Sequence, residues 1–490
     1  MTDSNQQSAL SKEQIDSVVA LYTNGQYQEA IDRIKALNEV YPNIPFLFNL
    51  IGACYKAIGQ LKGAAKMFET AVSIKPEYAE AHKNLGITLR DLGQMDEAVK
   101  SLNKAISAEP NNVDAHYNLA ITLKDLNQSN SAIQSYRKAI EIKPDFAHAH
   151  NNLGNLYKDL GQTDKALKSY RKAIEIKPDF AHAHNNLGNL YKDLENYKDA
   201  IKSYKKAIAI NPNFSEAHNN LGNVFKDHGE LGDAVKSYKK AVELDKNLYE
   251  AYYNLGVVFI QLKRFNEAIE TFQNAIEINP NFAQSYNNLG SALMSLGRLN
   301  ESINYFKKSL DIDDEYVNAL NNLGIALTDL GQLKAGAKSI EKAIEIDPNF
   351  AEAHNSLGNI FKKFNKRDKA LICYERAYEI KPDMDFVLGS LINIKMHLCI
   401  WPNFDKQLED LVVRINKNQK VIGSFNLLGL ADDPSLQRKT TEIRVNSNFP
   451  RNDSLESINQ YPNHSKIRIG YFSADFREHP LAYLTSGLYE

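Results

Sequence analysis

One polar residue recurs at a fixed interval along this chain: Asn84, Asn118, Asn152, Asn186, Asn220, Asn254, Asn288 and Asn322 stand 34 residues apart, each directly before a leucine. A carboxamide carries both a donor and an acceptor, so eight of them in a row could pair with the N–H and C=O groups of an extended peptide without reading its side chains. The same row also fits asparagines that hold local helix contacts, and regularity alone does not choose between the two. Histidines recur as well, at His82, His116, His150, His184, His218 and His354, two residues before the asparagine register. A metal site needs several ligands converging within about 2 Å of one ion. These histidines come one per interval, and His148 and His150, two apart on a helix, diverge. Histidines satisfied between helices are the expectation, with no metal. His479 stands outside the series, directly before Pro480. An imidazole, with its unperturbed pKa of about 6.5, can orient a substrate or relay a proton; taken alone, this one reads as a helix N-terminal residue satisfied locally. There is no Walker loop, no Gly-rich dinucleotide fingerprint and no recognisable Ser or Cys nucleophile motif.

The elements that must carry these residues follow from the same period. A Leu-Gly pair, Ile-Gly at its first appearance, places Gly at 52, 86, 154, 188, 222, 256, 290, 324 and 358, with Ala120 in the one gap. A second small residue recurs at Ala30, Ala64, Ala98, Ala132, Ala166, Ala200, Ala234, Ala268 and Ala370, where it lets two helices approach closely. Prolines at 42, 76, 110, 144, 178, 212, 280, 348 and 382 lack an amide hydrogen and end a helix. Between these marks apolar residues keep helical spacing, as in Leu85, Leu89 and Leu92 and then Ala98, Leu102 and Ala105. Each unit is therefore a helical hairpin. One hairpin cannot bury its own apolar face, so stacked neighbours must supply a continuous core. The expected fold is all-α, a solenoid of about eleven 34-residue hairpins over 11–384, preceded by a disordered 1–10. Residues 135–160 repeat identically at 169–194, the mark of a recent duplication.

Composition narrows the function classes. Lys+Arg 58 against Asp+Glu 60 gives a net charge of -2, which offers no general reason to expect nucleic acid or an anionic membrane as partner. The Lys-rich outer helices, with Lys202, Lys205 and Lys206, read as a solvated face. Cys54, Cys373 and Cys399 show neither disulfide nor zinc spacing and fit a reducing, cytoplasmic compartment. No run of about 18 apolar residues suggests a membrane span.

After Pro382 the period breaks. Val387–Leu398 still reads as a helix, Cys399-Ile-Trp-Pro402 interrupts it, and Asp405–Ile415 resumes amphipathic spacing as a capping helix. Residues 385–444 are thus capping helices and junction, and 445–465 a polar linker. Lys466–Phe472 is a β-branched and aromatic run, followed by a loop and a helix opening at Pro480, so 466–490 is expected as a strand-helix stub of an α/β domain. A single parallel strand needs partners through crossovers, and these would have to come from sequence that follows.

The in-register pattern of Leu-Gly, Tyr or Phe three on, Ala twelve on, an aromatic sixteen on and a closing Pro resembles the tetratricopeptide repeat. The order of repeats, the Cys-Ile-Trp-Pro-Asn-Phe junction and the segment Ile467-Arg-Ile-Gly-Tyr-Phe-Ser-Ala-Asp-Phe-Arg-Glu-His-Pro480 resembles protein O-GlcNAc transferases and their SPINDLY-like relatives. That resemblance implies an inverting glycosyltransferase acting on Ser or Thr of proteins, with UDP-GlcNAc as donor, or GDP-fucose in relatives of the same architecture. It implies His479 as the active-site histidine of the Asp-Phe-x-x-His-Pro motif, and the eight asparagines as holders of acceptor proteins or extended Ser/Thr-containing peptides. The companion aspartates four residues earlier are missing near the catalytic end, where Gln284, Asn318 and Glu352 stand instead. The donor-gripping part of the family lies beyond Glu490, so this chain alone is expected to bind no cofactor and to transfer no sugar. A non-catalytic tetratricopeptide scaffold for protein–protein interaction is the alternative.

Overall fold

A computed structural model describes residues 10–427, 429–431 and 433–448. Every regular element among them is a helix. The expected strand-helix stub, 466–490, lies outside the described residues, as do 1–9 and most of the expected linker. Residues 445–448, at that linker's start, continue the helix Pro434–Asn448.

Numbering the repeats from 1 (11–44) to 11 (351–384), each expected hairpin is present as two helices. In repeat 5 they are Ala147–Asp159 and Thr163–Ile176; in repeat 6, Ala181–Asp193 and Tyr197–Ile210; in repeat 7, Ser215–Asp227 and Leu231–Leu244. The turn inside each hairpin needs one residue in the left-handed region. Gly93 (φ 79), Gly161 (φ 67) and Gly229 (φ 82) adopt it freely, whereas Glu195 (φ 55) holds it against its Cβ. The turn between repeats is closed by the histidine register. Nε2 of His82, His116, His150, His184, His218 and His354 donates to the carbonyl of Pro76, Pro110, Pro144, Pro178, Pro212 and Pro348, at 2.8 to 3.2 Å. These are the interhelix histidines expected from the sequence, each satisfied at Nε2, while Nδ1 of His82 is buried without a partner among the described residues.

The chain divides into two compact units, up to Gly331 and from Gln332. In the first, the recurrent alanines Ala98, Ala132, Ala166, Ala200, Ala234 and Ala268 are fully buried. The helical glycine explains the aromatic sixteen residues on. A Cβ on Gly222 would stand 2.7 Å from Tyr238 Cε1, so the missing side chain is the space the ring fills. Buried phenols need a partner. Tyr170, Tyr204 and Tyr238 donate to the Oδ1 of Asn155, Asn189 and Asn223 at 2.8, 2.6 and 2.7 Å.

In the second unit, Val387–His397 packs on Arg367–Ile380 through Leu391, Ile394 and Tyr374. Phe404–Asn416 follows, its Arg414 donating to the Pro382 carbonyl at 2.7 Å and pairing with Asp410 at 2.9 Å. Leu388, Ile392, Leu411, Ile415, Leu427 and Leu436 form a separate small core there.

Candidate functional site: the inner amide face

First helices of neighbouring hairpins touch one another directly, while second helices are held apart by the first helix that follows them. The first helices therefore line the inner face of the array in the first unit, and the eight asparagines lie on it.

The structure brings these asparagines into one ladder with partners that the spacing alone did not reveal. In most of them the amide nitrogen donates to the residue 35 positions earlier, in the preceding repeat: Asn84 to Asn49 at 3.1 Å, Asn186 to Asn151 at 3.0 Å, Asn220 to Asn185 at 3.1 Å, Asn254 to Asn219 at 3.2 Å and Asn322 to Asn287 at 2.9 Å. Asn152 and Asn288 donate to phenol oxygens instead, Tyr117 at 2.9 Å and Tyr253 at 3.1 Å. Burial raises the pKa of both tyrosines, so these phenols stay neutral. Asn118 is the exception, and its reason is chemical. The preceding repeat offers Lys83, which has no acceptor. Asn118 turns its donor onto its own helix, to the Asp114 carbonyl at 2.8 Å, and its oxygen receives Arg90 Nη1 at 3.2 Å. The acceptor row had a sequence signal, the Asn-Asn or Tyr-Asn doublet before Leu-Gly; its meaning emerges only when repeats are stacked.

Of the two options left open by the spacing, these bonds realise the contacts between helices. One N–H of each tied amide is spent between repeats, which fixes the amide's orientation. Asn186, Asn220 and Asn254 remain half-buried, and among the described residues no donor reaches their Oδ1. A second ladder of charge runs beside the first: Lys56 to Asp91 at 3.0 Å, Lys124 to Asp159 at 3.9 Å and Lys158 to Asp193 at 3.0 Å, again 35 residues apart. Between the two ladders a pocket of about 240 Å³ is lined by Asn155, Lys158, Asp159, Asn186 and Asn189. The inner face then changes character. Where repeat 7 has Asn223 and Lys226, repeat 8 has Val257 and Ile260, and Met294 and Ile325 continue this half-buried apolar stretch.

No cluster of three or more potential metal ligands occurs among the described residues. Burial pushes the Cys54 and Cys373 thiols up to about 11, so both are protonated and poor nucleophiles. His479 lies outside the described residues.

A model described as tetratricopeptide repeat matches 47–78 and 351–384, and one described as TPR repeat matches 88–127. The chain is a tetratricopeptide-repeat protein. A third model, the C-terminal domain of cilia and flagella-associated protein 70, matches 114–356 of the tetratricopeptide array. Anaphase-promoting complex subunit 3 of Dictyostelium discoideum is 32% identical over 65 residues, 13% of this chain and 7% of that protein, so the match spans a small part of the relative's length. Among solved structures, MamA is 28% identical over 34% of this chain and 92% of its own, with a TM-score of 0.32. YrrB, described as a TPR protein with an unusual peptide-binding site, is 26% identical over 37% of this chain and 94% of its own, with a TM-score of 0.32. The APC/C hetero-tetramer Cut9–Hcn1 matches 79% of this chain and 97% of its own at 15% identity and a TM-score of 0.41. No described helix is long and apolar enough to cross a membrane.

Proposed function

We propose that this tetratricopeptide array is a protein-interaction scaffold that holds extended segments of partner proteins along its inner face. The observation that carries the reading is the row of pre-oriented amide oxygens at Asn186, Asn220 and Asn254, each with a remaining N–H, at a regular interval. Such a row accepts from peptide N–H groups and donates to peptide carbonyls, which recognises backbone and tolerates many sequences. The pocket beside Asn189 suits a polar side chain, and the stretch from Val257 to Ile325 an apolar one. Three unpaired cysteines favour a cytoplasmic setting.

The test replaces Asn186, Asn220 and Asn254 by alanine together and measures binding to an array of unstructured peptides. The expected result is weakened binding across most of the array. Because these amides also tie repeats together, Asn151→Ala with Asn185→Ala and Asn219→Ala serves as a control that breaks the same three ties and leaves the inner row in place. Equal losses in both variants would assign the row to stability alone.

The motif around His479 favours a second reading, in which the held segment is an acceptor for sugar transfer at Ser or Thr. The family matches to tetratricopeptide repeats support the scaffold and are silent on transfer. Incubation of this chain joined to a donor-binding glycosyltransferase lobe with acceptor peptides and UDP-GlcNAc or GDP-fucose, read by mass spectrometry, separates the two. A sugar adduct that His479→Ala abolishes would establish the enzyme.

A further inference from the structure

We propose that the outer face of repeats 4–7 docks an acidic segment of a protein partner, independently of the inner groove. The second helices of these repeats, Ser129–Ile142, Thr163–Ile176, Tyr197–Ile210 and Leu231–Leu244, together carry thirteen Lys and Arg against six Asp and Glu, in a chain whose net charge is -2. The face ends abruptly, since Phe265–Ile278 carries three Glu and no cation.

The cations are organised in register. Arg137 donates to the Tyr157 hydroxyl at 2.9 Å and Arg171 to that of Tyr191 at 3.0 Å, while Lys205 and Lys239 lie over the Phe225 and Phe259 rings at 6.0 and 5.9 Å. Each is thereby held against the first helix of the next repeat. Lys138, Lys172, Lys236 and Lys240 pair with acids of their own helices. In repeat 6 Ala209 stands where repeats 4, 5 and 7 have Glu141, Glu175 and Glu243, and among the described residues no ion pair involves Lys168, Lys202, Lys205 or Lys206. This surplus of uncompensated charge lies beside a trough of about 740 Å³ between the outer helices of repeats 4 and 5. Arg137, Lys168, Arg171 and Lys172 stand on its walls and His150 and Tyr157 on its floor, with Asp164 and Glu175 at its edge.

Charge complementarity selects an anion, and the details select a protein. The interleaved carboxylates would oppose the unbroken phosphates of a nucleic acid, and the aromatic faces that could stack bases are capped by cations. None of the four helices exposes a large apolar side chain that could enter a bilayer. Side-chain carboxylates of an acidic segment, spaced and mobile, can meet the uncompensated lysines while avoiding the acids.

The experiment titrates the 490-residue chain with a fluorescent oligoglutamate peptide at low and high salt. Lys168→Glu, Lys202→Glu and Lys206→Glu are combined in one variant, and Lys62→Glu, Lys66→Glu and Lys307→Glu in a second with the same change in net charge. Binding is expected to fall about tenfold or more in the first variant, little in the second, and to weaken with salt. Circular dichroism checks that the exposed substitutions leave the helices intact. Absence of binding, equal loss in both variants, or tighter binding of oligouridylate or of phosphatidylserine vesicles than of the peptide would overturn the proposal.

Discussion

The inter-repeat amide ladder predicts a measurable coupling between two residues 35 apart. Asn185 is 5% exposed and its Oδ1 receives Asn220 Nδ2 at 3.1 Å. Replacing Asn220 by alanine strands a buried acceptor, which costs about 1–3 kcal/mol. Replacing Asn185 leaves the Asn220 amide half-buried and within reach of water, a smaller loss of about 1 kcal/mol. Once either is gone, the bond no longer exists for the second substitution to break, so the double variant should lose less than the sum. The expected coupling is about 0.5–1.5 kcal/mol, the net worth of a neutral hydrogen bond. Stability in a repeat array is a sum of local terms, so the readout should be local as well. Hydrogen exchange followed by mass spectrometry across repeats 6 and 7, in the two single variants and the double, measures it. Asn185 with Asn254 is the control cycle, because Asn254 is tied to Asn219 and shares no partner with Asn185. A coupling at Asn185 and Asn220 no larger than in the control would refute the ladder as a source of cohesion between repeats.

Other expectations follow from single residues. Glu195→Gly relieves a left-handed glutamate in a turn where other repeats use glycine, and should raise the urea midpoint by about 0.5–1 kcal/mol equivalent; an unchanged midpoint would mean the turn carries no strain. Gly222→Ala gains up to about 1 kcal/mol of helix propensity but drives a methyl against the Tyr238 ring at a cost of about 1–3 kcal/mol, so a net loss is expected by denaturation. Parental stability would show that the ring yields to the methyl without cost. Burial, which strips solvent from the ring, lowers the pKa of His82, His150, His184 and His218. With folded-state pKa values below the unfolded value of about 6.5, these histidines leave stability whole above that pH and erode it as pH falls below, until the folded-state values are reached. Urea midpoints at stepped pH should therefore decline below about 6.5, before most carboxylates titrate; a flat profile down to about pH 5 would contradict the assignment.

The hairpins and their registers were legible because a 34-residue period exposes helix, turn and packing residue together. Gly222 and Tyr238, sixteen apart, are one contact seen repeatedly in the sequence. The histidines were legible for the same reason, since each lies six residues after the proline whose carbonyl it caps. The ladder was half legible. Its donors stood out as identical residues, but its acceptors vary between Asn and Tyr, and an interaction spanning 35 residues shows itself only after stacking. The junction was harder still. Phe386, Cys399 and Asn403 take left-handed conformations there without glycine to announce them, with Phe386 N–H held by the Lys420 carbonyl at 2.6 Å. The helix Pro434–Asn448 is polar along most of its length and is fixed mainly by Leu436, Thr440 and Ile443, too few apolar marks for a periodicity to emerge.

The lysine at position 83 has a mechanical meaning. Stretching a coil of stacked hairpins separates its inner edges first, so the short amide ties there carry the load, and each resists as a stiff link. Between repeats 3 and 4 that link is replaced by the reach of Arg90 to Asn118, a long side chain with several rotatable bonds. Within repeats 2–10 the inner row has one compliant joint among tied ones, and the groove on either side of it can change pitch while each side keeps its own spacing.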